Sequence, residues 1–131
     1  MLRGNRKSAA PFTSLPFGPD DPRLALCLDC DPRIHFALNC GAKGCPPIAF
    51  YHADKLDGEL DRAREAFFVS GGVNVQGQDL HLSMIFKWYM ADFPGGVLDY
   101  IRNTAPQRVK DTLPPCPALV YTPYDWAINK K

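Results

Sequence analysis

An α+β fold, a single small mixed domain with a short sheet and interspersed helices, is predicted by three features of the 131-residue sequence. Apolar residues alternate with polar ones at a strand's period of two in some segments. Elsewhere they recur at helical spacing, as at Leu56, Leu60, Ala63 and Phe67. Turn residues separate these segments, so that strands and helices are interspersed, and no internal repeat or low-complexity segment is present.

The first thirty residues read as an extended proline-rich arm. Pro11, Pro16, Pro19 and Pro22 break up residues 1–30, with a short apolar strand expected at Leu24–Leu28. Residues 31–131 form the body. Asp31-Pro32 sets a turn, and Ile34, Phe36 and Leu38 alternate with Arg33, His35, Ala37 and Asn39 as a strand would. Cys40–Pro47 follows as a loop and Ile48–Tyr51 as a second short strand. Asp54 caps a helix that runs to about Phe68. Val73–Val75 and Leu80–Leu82, joined across Gln76-Gly77-Gln78, predict a hairpin. Ser83 caps a helix over Met84–Asp92, and Val97–Asn103 forms another. Pro106 opens a short helix, Leu119–Thr122 a last strand, and Pro123–Asn129 a closing turn.

Composition narrows the function classes. Hydrophobic residues are 46% of the chain and charged residues 22%, which is ordinary globular usage. The formal charge of +1 lacks the basic excess that phosphate binding needs, so no nucleic-acid partner is expected. No apolar run reaches the roughly 20 residues of a membrane-spanning helix, so no membrane association is expected either. Met1–Ala10 is basic without an apolar segment behind it, and the chain reads as cytoplasmic. Five cysteines, an odd count, fit free thiols in a reducing compartment.

The chemistry concentrates in Asp31–Pro47, DPRIHFALNCGAKGCPP. A nucleophilic thiol needs a base or a positive neighbour to hold it as thiolate, and His35 is near both Cys40 and Cys45. If 33–39 is a strand, alternation points His35 to the side of Asn39 and away from Cys40. Cys45 is then the better partner, with Asn39 placed to orient the imidazole. Asp125, beside Tyr124 and Trp126, is the candidate third member of a triad. The competing reading makes His35 a hydrogen-bonded core residue, the cysteines packing groups, and Tyr124–Trp126 a C-terminal lock. Cys27 and Cys30 with Cys40 and Cys45 have spacings that a structural zinc site tolerates.

The runs DPRIHFALNCGAKGCPPI, LSMIFKWYMADF and YDWAIN together resemble the domain-of-unknown-function family 547. The resemblance extends from Leu2–Asn5 to Asn129. His35, Phe36, Ala37, Leu38, Cys40, Cys45 and Pro46 match the family's central motif. Tyr124, Asp125, Trp126 and Asn129 match its closing motif, while Cys27 and Cys30 lie outside its pattern. Similar proteins carry an earlier half with a WINxYN-like motif and a histidine-bearing helix. The resemblance therefore implies that 31–131 is the C-terminal portion of a truncated domain. The leading expectation is a non-catalytic protein-interaction module, or a remnant of one, that needs no cofactor. A thiol-dependent enzyme of cysteine-hydrolase or acyl-transfer type is the alternative, and a small structural zinc domain is a second.

Overall fold

The computed structural model describes residues 18–27 and 29–130. Two similar turns open it. Asp21-Pro22-Arg23 and Asp31-Pro32-Arg33 each start a 3₁₀ helix, over Pro22–Leu26 and Pro32–Phe36. In both, the aspartate side chain accepts the N–H of the arginine two residues on, and proline supplies a preset φ in the first turn. The strand expected over 33–39 is thus a helical turn followed by loop. Five alternating residues carry too little periodicity to outweigh an aspartate cap and a proline at the start. Arg33 adds a tertiary tie: its guanidinium pairs with Asp31 at 2.8 Å, Asp57 at 2.7 Å and Asp61 at 3.1 Å. The strand expected at Leu24–Leu28 is likewise a 3₁₀ turn over Pro22–Leu26, and Leu28 lies outside the described residues. Ile48–Tyr51 has no regular structure, since no strand among the described residues pairs with it, and Ile48 and Phe50 are exposed.

Helix α1 spans Leu56–Phe67, one residue later than a cap at Asp54 would start it. Lys55 occupies the cap position without a side-chain bond. The front of α1 is instead tied by Glu59, whose carboxylate accepts the backbone N–H of His52 at 2.7 Å and lies 3.0 Å from its Nδ1. A π turn over Phe68–Gly72 ends the helix, with Gly71 at φ 110° reversing the chain.

The sheet has three strands in the order β1-β2-β3, with β1 at Val73–Gln76, β2 at Asp79–Ser83 and β3 at Ala118–Thr122. β1 and β2 are the expected antiparallel hairpin, and β3 returns parallel to β2. Alternation on β2 buries Leu80 and Leu82 completely. The Ser83 hydroxyl accepts from Ile85 N–H and caps α2, Met84–Trp88. A 3₁₀ turn, Met90–Asp92, continues it. α3 spans Val97–Thr104 and α4 Gln107–Lys110, with Pro106 just before it. The result is an α+β domain whose small mixed sheet carries helices. No helix among the described residues is long and apolar enough to cross a membrane.

An aromatic cluster forms the core. The Phe36 ring lies 5.1 Å from Phe67, 5.4 Å from Phe68 and 5.5 Å from Phe86, centroid to centroid, within the range of favourable aromatic pairs. Phe93, Tyr100 and Ile101 complete it. Phe36 is therefore the residue through which the 3₁₀ turn Pro32–Phe36 joins the core. Phe36→Ala is expected to cost about 3–5 kcal/mol, read as a lowered urea midpoint at unchanged denaturant slope.

Candidate functional site

A cleft of about 210 Å³ opens between the cysteine loop, α2 and the C-terminal turn. His35, Leu38, Asn39, Cys40, Cys45 and Pro46 line one side; Ile85, Trp88, Tyr89, Tyr124 and Trp126 line the other. His35 and both candidate thiols therefore share a cleft, although the strand geometry that was expected to arrange them is absent.

His35 is held on three sides. Its Nε2 donates to Asp92 Oδ2 at 2.8 Å, with 2% and 1% of the two side chains exposed. Its ring stacks on Tyr89 at 4.0 Å and 9°, and Phe93 meets it edge-on at 6.0 Å. Pairing compensates the burial of both polar groups, which would be costly alone. Asp92 is the carboxylate that sequence reasoning missed. It closes the helix expected over Met84–Asp92, 57 residues from His35, and nothing local marks the two as partners.

Asp125, the expected third member of a triad, lies elsewhere. It is exposed, its carboxylate accepts the Ala127 N–H at 2.9 Å, and its carbonyl accepts from Gly44 at 2.9 Å. Asn39 does not orient the imidazole through these contacts. Its Oδ1 accepts the Gly41 N–H at 2.7 Å and its Nδ2 donates to the Pro46 carbonyl, so it staples both ends of the cysteine loop. That loop docks on the C-terminal turn through a bridge of Ala42 to Ile128, with Lys43 N–H donating to Ala127 and Asn129 N–H to Gly41.

The Cys45 sulfur meets polar partners from its own loop and from the C-terminal turn. It accepts from Tyr124 Oη at 3.1 Å and from Cys40 N–H at 3.2 Å, and lies 3.0 Å from the Cys40 sulfur. Desolvation works against its ionisation, but the bonds from Tyr124 and Cys40 outweigh it, and the thiol sits below its ordinary pKa. Burial first, and then the bond to Cys45, push the Tyr124 phenol well above its ordinary value, so Tyr124 stays a donor. Its ring stands 5.0 Å from Trp88 and 4.6 Å from Trp126. Trp126 is 49% exposed and stands at the surface rather than plugging the core, while Trp88 and Tyr124 are half-buried and pack against the core cluster.

Cys27 and Cys30 direct their sulfurs to the carbonyls of Arg23 and Asp92, at 3.7 and 3.8 Å. Among the described residues no group of three or more His, Cys, Asp or Glu side chains converges as a metal site would.

Three outcomes follow from these contacts. Tyr124→Phe removes a donor to the Cys45 sulfur, and the pH inflection of Cys45 alkylation is expected to move up. The depressed Cys45 pKa also links to folding. Its stabilisation is present above the unfolded thiol value and is lost as pH falls through the folded one. Asp92→Ala leaves the His35 imidazole buried without its carboxylate, and is expected to cost about 3–5 kcal/mol of stability in chemical denaturation.

No curated protein matches the chain, and no solved structure does. A family model, described as "Protein of unknown function, DUF547", matches residues 1–68, slightly more than half of the sequence. The matched stretch holds both Asp-Pro-Arg turns, His35, and both cysteines of the loop, and the chain belongs to this family.

Proposed function

We propose that this domain is a non-catalytic interaction module of a cytoplasmic protein, whose cleft receives one apolar or aromatic side chain from a protein partner. The observation that carries this reading is the state of His35. Its Nε2 is committed to Asp92 at 2.8 Å, its ring is stacked on Tyr89, and its side chain is 2% exposed, so the imidazole serves the architecture. The donors on the Cys45 sulfur are Tyr124 and Cys40 instead. Among the remaining walls Leu38 is aliphatic, and Trp88, Tyr89 and Trp126 offer apolar faces with polar edges, the surface that recognises a buried anchor side chain. Size points the same way. A volume of 210 Å³ lies below the roughly 300–1,000 Å³ of small-molecule and cofactor sites, and suits a single large side chain. The free thiols suit a reducing compartment.

A second reading, a thiol-dependent hydrolase or acyl transferase, is favoured by one observation: His35 and the acidified Cys45 line the same cleft. Cys45 would be the nucleophile, His35 the base and Asp92 the orienting carboxylate.

Titration of the protein with N-acetyltryptophanamide and N-acetylleucinamide, followed by the indole N–H signals of Trp88 and Trp126, tests the proposal. Saturable shifts are expected with both amides, none with N-acetylglycinamide, and weaker binding in Trp126→Ala. Absence of any shift overturns it. A stoichiometric p-nitrophenol burst from p-nitrophenyl acetate, lost in both Cys45→Ser and His35→Gln, would overturn it in favour of the enzyme.

A further inference from the structure

We propose that Cys40 and Cys45 form a reversible dithiol–disulfide pair, a redox modification site at the rim of the cleft. The two sulfurs lie 3.0 Å apart. A disulfide is about 2.05 Å long, so closure takes about an ångström of movement. The backbone between them is already folded for it. Cys45 N–H bonds the Ala42 carbonyl at 3.1 Å, Gly41 takes the left-handed conformation at φ 83°, and Asn39 bonds both Gly41 and Pro46. The docking of Ala42 on Ile128 fixes the same segment from outside. The entropy of bringing two thiols together, the usual cost of a cross-link, is therefore met by the native loop.

The two thiols are also unequal in the way that exchange requires. Cys45 is half-buried, with two donors on its sulfur that favour the thiolate, while Cys40 is exposed and free to act second. Cys27 and Cys30 turn to separate carbonyls, and Cys116 is exposed between prolines.

The oxidant is a low-molecular-weight disulfide such as oxidised glutathione. The Cys45 thiolate attacks one of its sulfurs, the oxidant's S–S bond breaks, and one glutathione thiolate leaves with the electron pair. The Cys40 thiolate then attacks the Cys45 sulfur and expels the second glutathione thiolate. Two protein thiols are oxidised to one disulfide, and one glutathione disulfide is reduced to two thiols that take up the two protons. This pair stands on its own geometry, whether or not the cleft holds a partner's side chain.

The test incubates the whole chain in glutathione buffers of graded redox ratio, quenches with acid and N-ethylmaleimide, and maps each cysteine by peptide mass spectrometry. A Cys40–Cys45 linkage is expected first, at ratios where Cys27, Cys30 and Cys116 are about ten-fold less oxidised, and dithiothreitol restores both thiols. In Cys40→Ser the second step is lost, and a glutathione mixed disulfide accumulates on Cys45. Should that variant fail to fold, the wild-type series decides alone. The proposal is overturned if Cys40 and Cys45 stay alkylated along with the other three across the series, or if another pair links first.

Discussion

The hydrogen bond from His35 Nε2 to Asp92 Oδ2 joins two short 3₁₀ turns, Pro32–Phe36 and Met90–Asp92, that lie far apart in the sequence. Both side chains are out of reach of water, and each satisfies the other. One residue on, Phe36 enters the middle of the aromatic core. The bond therefore sets the angle at which the turn enters the body. Tyr89 and Phe93, which flank the imidazole, belong to the same stretch of chain as Asp92. Loss of either partner strands a polar group in an aromatic environment, which is why removal of one is costlier than the pair is stabilising.

The cysteine loop hangs from that anchor. Asn39 closes it at both ends, and the C-terminal turn clasps it through backbone bonds in which Lys43 and Gly44 donate to residues 127 and 125 and Gly41 accepts from Asn129. Contact is close at Gly44, where a Cβ would lie 3.0 Å from the Tyr124 ring. A larger side chain there would push Tyr124, and with it the donor on the Cys45 sulfur. One packing contact thus reaches the thiol's acidity through a single phenol. The same phenol's ring braces Trp88 and Trp126, so the walls of the cleft and the state of its sulfur share a support.

Much of the fold was legible because its signals are local. Helical spacing located α1, the glycine between Val75 and Leu80 located the hairpin, and Ser83 located the start of α2. The two strands expected at 24–28 and 33–39 fail for a common cause. Ile34, Phe36 and Leu38 alternate, but Asp-Pro-Arg occurs twice in the chain and makes a capped turn both times. That repetition was the available signal, and it outranks a short alternation. His35, Cys40 and Cys45 share a cleft, as their crowding in sequence hinted. Asp92 could not be found that way, because its pairing depends on a fold that brings distant turns together. Asp125 looked suitable for its aromatic neighbours, yet a backbone N–H two residues on takes its carboxylate.

Whether His35 is an architectural group or a base can be read most directly from the pH dependence of Cys45 alkylation in the wild-type chain, followed residue by residue by mass spectrometry. The architectural account predicts one inflection, that of a thiol acidified by Tyr124 and Cys40, with reactivity falling steadily below it. A Cys45–His35 ion pair would instead hold reactivity up through the imidazole range, between about pH 5 and 8, and add a second inflection there. That plateau would contradict the account.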